Sequence, residues 1–124
     1  MGYEKDFVDE SPTEIDIDGR KFKYKPTTGG NENDWLNDVM VIDPETKISK
    51  VNWSMYNKKK LANITDVPYD VVIIKKILGV EKEWKDLTTD QRYGVLSKLK
   101  PGLFDKIINA MKNIDEPDVA SAKN

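Results

Sequence analysis

Three consecutive lysines next to two aromatic residues form the most distinctive chemical pattern of this 124-residue chain. Lys58, Lys59 and Lys60 could contact phosphates, while the rings of Trp53 and Tyr56 could stack on bases. The same pattern fits an ordinary helix with its aromatic face in the core and its lysine face in water. Because the sequence pI of about 5.2 lies below the range typical of nucleic-acid-binding domains, nucleic-acid binding is the alternative hypothesis.

Paired carboxylates are a second pattern that could perform chemistry, as a general acid and a general base. Two such pairs, Glu81 with Glu83 and Asp86 with Asp90, lie close together in the sequence. They alternate with lysine and arginine, which is typical of a solvated surface. The sequence shows no nucleophile–base pair, phosphate-binding glycine loop or cofactor fingerprint. We therefore expect no enzymatic activity, no catalytic residues and no cofactor.

Acidic segments are the remaining candidates for a metal site, because the chain has no cysteine and no histidine. That composition excludes disulfides, thiolate nucleophiles and the usual zinc sites. Residues 16–19 and 31–34 resemble fragments of a calcium-binding loop, but neither continues to the glutamate that the twelfth position needs. A hairpin turn and a helix cap explain the two segments better, so we expect no metal site.

The formal net charge of -2 is divided unevenly along the chain. Residues 1–18 hold seven acids and one base, residues 113–124 hold three acids and one base, and residues 19–112 therefore carry +6. Acidic ends are typical of solvated tails, although an anionic partner or charge neutralisation in an assembly would use the same pattern. No apolar run is longer than four residues, as at residues 71–74, which is far shorter than the roughly 20 residues that span a bilayer. We expect a cytosolic protein without a membrane segment.

Two strands are the first elements that the sequence predicts. Residues 14–17 and 21–25 alternate apolar and polar side chains, and Asp18-Gly19 between them is a strong signal for a two-residue turn. The outer face would pair Asp16 with lysines of the second strand. One inner face would collect four apolar residues: Ile15, Ile17, Phe22 and Tyr24.

Two predictions compete for the segment that follows. A helix over residues 33–40 would take Asn31 or Asn33 as its N-cap. A second hairpin would instead pair residues 41–42 with 47–51, since Asp43-Pro44 suits a type I turn. Both use residues 39–42, and the sequence leaves the choice open.

The rest of the chain predicts helices with clear starting residues. Asn52, Asp70 and Thr88 are the predicted N-caps of three helices, and Gly79 is the predicted closing residue of the second. A glutamine three residues after Thr88 completes a capping box. Pro101 opens the last helix, whose apolar stripe we expect to pack on the preceding helix as a helical hairpin.

The order of short motifs in the carboxyl-terminal half forms a longer pattern. Leu87-Thr88, an acidic residue and Gln91-Arg92 precede one helix, and Leu99-Lys100-Pro101 precedes the next. Together with the charged hairpin of residues 17–24, this layout resembles small tail-assembly proteins of tailed bacteriophages, over residues 14–112. The resemblance implies a non-enzymatic morphogenesis protein, either a tail assembly chaperone or a small structural component of the tail.

A protein of that kind needs exposed apolar residues beyond its core. Trp84 lies in an otherwise polar connector and either folds back over the helices or projects toward a partner, and the usual burial of tryptophan favours folding back. Trp35 and Tyr56 are secondary candidates for partner binding. The predicted partner-binding residues are Trp84, Leu103, Phe104, Ile107 and Met111.

The sequence as a whole predicts one α+β domain over residues 13–113, with an N-terminal antiparallel β-hairpin or small sheet packed on three to four helices. Residues 13–51 would be mainly strands and turns and residues 52–113 mainly helices. An acidic flexible lead-in (1–12) and a polar tail (114–124) would flank the domain. The predicted function is protein–protein interaction in bacteriophage assembly, with another tail protein and a second copy as partners, in the host cytoplasm and the virion.

Overall fold

The computed structural model describes residues 3–116 and has the predicted α+β architecture. The first two residues of the lead-in and the tail from residue 117 lie outside the described residues. Two short 3-10 helices, Glu4–Asp6 and Trp84–Asp86, accompany the main elements. In chain order these are β1 (Thr13–Ile17), β2 (Arg20–Tyr24), α1 (Gly29–Val39), β3 (Met40–Ile42), β4 (Ser49–Val51), α2 (Trp53–Leu61), β5 (Ile64–Asp66), α3 (Val71–Leu78), α4 (Thr89–Leu96) and α5 (Pro101–Asp115).

The first hairpin forms as predicted. Asp16 lies opposite Lys21 on the wet face and makes an ion pair with it, while the four apolar residues of the inner face are buried. Asp18 and Gly19 have φ values of 52° and 87°, the tight two-residue turn that glycine makes accessible. The Asp16 carboxylate accepts the Gly19 N–H at 2.9 Å and so fixes this turn.

A third strand, β5, completes this sheet in the order β1-β2-β5. The sequence pattern does not predict this strand, because three residues are too few to show a strand period. Ile64 lies opposite Tyr24 in the antiparallel register and is fully buried. Tertiary contact with β2 therefore makes this segment a strand.

Both competing predictions for the next segment are realised, one after the other. Helix α1 ends at Val39, and Met40 begins the two-stranded sheet of β3 and β4. The predicted asparagine N-cap is wrong. Thr28 accepts the Asn31 N–H at 3.1 Å, and the Asn31 side chain accepts the Thr28 N–H at 3.3 Å. This capping box satisfies two N–H groups at the start of the helix, and Gly29 and Gly30 are its first two residues.

The later helices begin at the predicted residues. The side chains of Asn52, Asp70 and Thr88 each accept the N–H three residues further on, at 3.0–3.2 Å. Gly79 closes α3 with a φ of 77°, and Pro101 is the first residue of α5. These caps are local chemistry, which explains why the sequence predicts them correctly.

The predicted hairpin of the last two helices is wrong. Helix α5 packs mainly against β1, whereas α4 packs against α2 and α3. The apolar face of the sheet needs a cover, and the stripe of α5 provides it through Ile107 and Met111. The helix also continues to Asp115, which the sequence assigns to the tail.

The core lies between this sheet and the helices. Within residues 3–116, no helix is both long and apolar enough to cross a bilayer. The completely buried side chains of the domain are Phe22, Tyr24, Leu61, Ile64, Ile74, Val95, Leu96, Ile107 and Met111.

Candidate functional site

The three consecutive lysines of α2 point to three different helices. Successive residues of an α-helix are separated by about 100°, so these side chains cannot share one face. Lys58 pairs with Asp90 of α4 at 2.6 Å and Lys59 with Asp38 of α1 at 3.2 Å. Lys60 pairs with Asp115 of α5 at 2.9 Å. The lysine run therefore ties α2 to its neighbours.

The third of these pairs is buried and belongs to a polar cluster. The side chains of Lys60 and Asp115 are each only 9% exposed. Asp115 also accepts the Tyr24 hydroxyl at 2.6 Å and the Thr27 backbone N–H at 2.8 Å. One carboxylate thus joins α5, α2 and the end of β2.

Opposing effects set the protonation of this cluster. Burial acts to raise the pKa of Asp115, but hydrogen bonds from the Thr27 backbone, Tyr24 and Lys60 outweigh it and leave the pKa below its ordinary value of 3.8. Burial, with the hydrogen bond to Asp115, raises the pKa of Tyr24 above its ordinary value of 10.0. Every polar group of the cluster has a partner inside the protein, so the cluster's role is to hold the three elements together.

The five residues of the nucleic-acid hypothesis do not converge on one surface. Tyr56 is buried and makes edge-to-face contacts with Trp35 and Trp53 at centroid distances of 6.1 and 5.5 Å. Trp53 is exposed, but Lys60 is buried, and Lys58 and Lys59 each face a carboxylate. A phosphate backbone would have to displace those carboxylates.

The structure contradicts most of the predicted partner-binding surface. Trp84, Ile107 and Met111 are buried in the core, while Leu103 and Phe104 are half-buried against it. The stripe of α5 looks like an interaction face in sequence because a helix that covers a sheet needs the same apolar period.

Trp84 folds back, as the burial of tryptophan favours. Its Nε1–H donates to the Ile64 carbonyl at 2.8 Å. The Arg92 guanidinium lies over its ring at 5.4 Å and donates to the carbonyls of Ala62, Trp84 and Lys85 at 3.2–3.3 Å. One arginine of α4 thus holds the end of α2 and the connector together, so the connector is part of the folded body.

Four exposed apolar residues lie on the hairpin of β3 and β4, and others lie within residues 3–8, on α2 and on α3. We call these four residues the hairpin surface, and they are 44–64% exposed: Met40, Val41, Ile42 and Ile48. Neighbours along a strand point to opposite faces, so exposure of all three β3 residues means that neither face of the hairpin is covered. A signal in the sequence was available, because 39–42 is an uncharged apolar run beside a turn in a chain that is 34% charged.

Hydrogen bonds close the tip and the base of this hairpin. The Asp43 carboxylate accepts the N–H groups of Glu45 and Thr46 at 2.8 and 3.2 Å. At the base, Asn52 N–H donates to the Val39 carbonyl at 3.0 Å. A groove of about 310 Å³ runs along the hairpin and is lined mainly by β3, β4 and the Asp43 turn.

All four of the paired carboxylates lie at the protein surface. Glu81, Glu83 and Asp90 are exposed and pair with lysines at 3.8, 3.4 and 2.6 Å. Of the calcium-like segments, one is the β1–β2 turn and the other lies inside α1. In the part of the chain that the structure describes, acidic side chains do not gather in groups of three that could hold a metal ion.

Comparisons of the chain with protein-family models, with curated proteins and with solved structures find no match.

Proposed function

We propose that this protein acts by protein–protein association through the hairpin surface and does not catalyse a reaction. The observation that carries the proposal is the exposure of four large apolar side chains on one small hairpin. Contiguous exposed apolar residues with a polar border mark interaction sites in soluble proteins. The border here consists of charged residues at the turn and on β4: Asp43, Glu45, Lys47 and Lys50.

The size of this surface indicates a modest affinity. Full burial of one large aliphatic side chain contributes about 1.5–3 kcal/mol, and each of these four is roughly half exposed. Covering all of them is therefore worth about 4 kcal/mol before the cost of association. The charged border orients a partner more than it strengthens binding. Such an interface suits stepwise, reversible assembly.

The biological setting follows from the resemblance to tail-assembly proteins of tailed bacteriophages. Under this proposal the chain is a tail assembly chaperone or a small tail component. Its partner is another tail protein, which it meets in the host cytoplasm or in the particle. The confirmed N-terminal hairpin and the confirmed capping box at Thr88 support the layout on which that resemblance rests.

The paired lysines give no support to the nucleic-acid alternative. That hypothesis requires a free lysine face and an accessible pair of aromatic rings. The lysines instead face carboxylates, and Tyr56 is buried.

Site-specific photo-cross-linking tests the proposed function. A photoreactive amino acid replaces Ile42 of the hairpin surface or, as a control, the exposed Lys82 of the distant connector. Each variant is expressed together with the structural proteins of the same particle. We expect position 42, and not position 82, to give an adduct with one tail protein or with a second copy of the chain, identified by mass spectrometry. Equal labelling from both positions, or adducts with neither of these partners, would refute the proposal.

A further inference from the structure

Among residues 3–116, the backbone groups on the outer edge of β3 have no strand partner. In the hairpin, Asp43 N–H donates to the Ile48 carbonyl and Asn52 N–H to the Val39 carbonyl, which fixes the hydrogen-bonded pairs of the ladder. Such pairs alternate with non-hydrogen-bonded pairs along an antiparallel ladder. Met40 and Ile42 fall at the alternate positions, so their carbonyls and the Ile42 N–H point away from β4. This edge lies open to another strand.

The two edges of this small sheet differ in charge. Strand β4 carries Lys50 at its centre, and a lysine on an edge strand opposes pairing with a further strand. Strand β3 consists of Met40, Val41 and Ile42 and carries no charge. A strand that pairs with its own copy must not place like charges opposite each other. Only β3 meets that condition.

We propose that the occupant of this edge is a second copy of the chain, with the two β3 strands antiparallel about a two-fold axis through Val41. This inference deepens the proposed function, on which it rests, by naming a partner for the hairpin surface. A two-fold interface uses one patch of both copies, and an uncharged three-residue strand is complementary to itself.

The proposed register uses the outward backbone groups of both copies. Ile42 N–H of each copy donates to the Met40 carbonyl of the other, so the two bonds are equivalent by symmetry. Val41 faces its own counterpart at the axis in a non-hydrogen-bonded pair, where side chains approach most closely. The two hairpins become one four-stranded antiparallel sheet, and Met40 of each copy packs beside Ile42 of the other.

A contact of this size gives a weak dimer. It lies at the small end of protein interfaces, so we expect a dissociation constant on the order of 1 mM. The mass of the full chain should therefore rise from that of one copy toward that of two over a concentration series that spans this value. Light scattering or sedimentation velocity measures it directly.

Charge reversal at the axis tests the geometry. Val41→Lys and Val41→Glu each place like charges face to face across the two-fold axis, so each variant alone should remain monomeric at concentrations where the unmodified chain dimerises. An equimolar mixture of the two should form a heterodimer, because opposite charges then meet. Recovery in the mixture also shows that both variants are folded.

Ile48→Lys is the matched control. It adds the same charge to the same hairpin surface but lies outside β3, so it should leave the dimer intact. A strictly monomeric unmodified chain up to about 1 mM would overturn the inference, at a limit set by the expected affinity. Failure of the mixture to associate, or loss of the dimer in Ile48→Lys alone, would overturn it as well. Cross-links from position 42 to a tail protein would still support the proposed function in each case.

Discussion

Replacing Lys60 by methionine isolates the energetic role of the buried ion pair. Methionine keeps most of the aliphatic stem but removes the ammonium group that lies 2.9 Å from Asp115. The carboxylate then keeps only its bonds from Tyr24 and Thr27 in a site where it is 9% exposed. Breaking a buried pair by removing one partner costs about 3–5 kcal/mol, because the other charge stays uncompensated. That is a large part of the roughly 5–15 kcal/mol by which domains are stable.

The neighbouring lysine supplies the matched control. Lys59 lies on the same helix and pairs with Asp38 at 3.2 Å, but the Asp38 side chain is 63% exposed. Exposed pairs contribute about 0–1 kcal/mol, since water solvates both charges when the pair breaks. Lys59→Met should therefore change the free energy of unfolding by no more than about 1 kcal/mol.

Urea and thermal unfolding, followed by circular dichroism, measure both effects. For a chain of this length we expect Lys60→Met to lower Tm by about 12–20 °C and Lys59→Met by at most about 4 °C. Adding Asp115→Asn to Lys60→Met removes the uncompensated charge, so the double variant should recover about 1–3 kcal/mol relative to additive single effects. A Lys60→Met cost equal to that of Lys59→Met would refute the interpretation that the buried ion pair stabilises the fold. Strict additivity of the Lys60→Met and Asp115→Asn effects in the double variant would refute it as well.

Three further predictions address the same core and its turns. The folded-state pKa of Asp115 is lowered and that of Tyr24 is raised. The stability due to Asp115 should therefore be lost as pH falls below about 4, and the stability due to Tyr24 as pH rises above about 10. In unfolding titrations, Asp115→Asn should show a flatter acid limb and Tyr24→Phe a flatter alkaline limb. Trp84→Phe leaves the Ile64 carbonyl without its indole donor and should cost about 1–3 kcal/mol in urea unfolding, and a cost under about 0.5 kcal/mol would contradict that bond. Gly79→Ala forces a side chain into a φ of 77° and should cost about 1 kcal/mol with nothing nearby to clash; an unchanged Tm would contradict it.

Local chemistry in the sequence was sufficient for much of the fold. The turn at Asp18-Gly19, the N-caps Asn52, Asp70 and Thr88 and the closing Gly79 all depend on hydrogen bonds or φ values within a few residues. Such interactions are the same in any context, so residue type and spacing predict them. The alternation of the first hairpin also predicted its buried face, because the strand period is fixed by the backbone.

Long-range packing decided what the sequence could not. Strand β5 forms because Ile64 pairs with Tyr24, forty residues earlier in the chain. Helix α5 packs on β1, and not on α4, because the sheet has an apolar face that must be covered.

The candidate site shows the same division between local and long-range information. An apolar period is identical whether a helix covers a sheet or awaits a partner, so Ile107 and Met111 resembled an interface in sequence, whereas Met40–Ile42 were not among the predicted partner-binding residues. Likewise, the run Lys58–Lys60 suggested a basic face in sequence. In the structure each lysine forms an ion pair with a carboxylate distant in sequence, and these pairs connect α2 to its neighbouring helices. The sequence by itself determined the caps, turns and periods of this protein, because those are short-range properties of the backbone. Only the tertiary structure decided which apolar residues remain in contact with water, because exposure depends on every element that packs nearby.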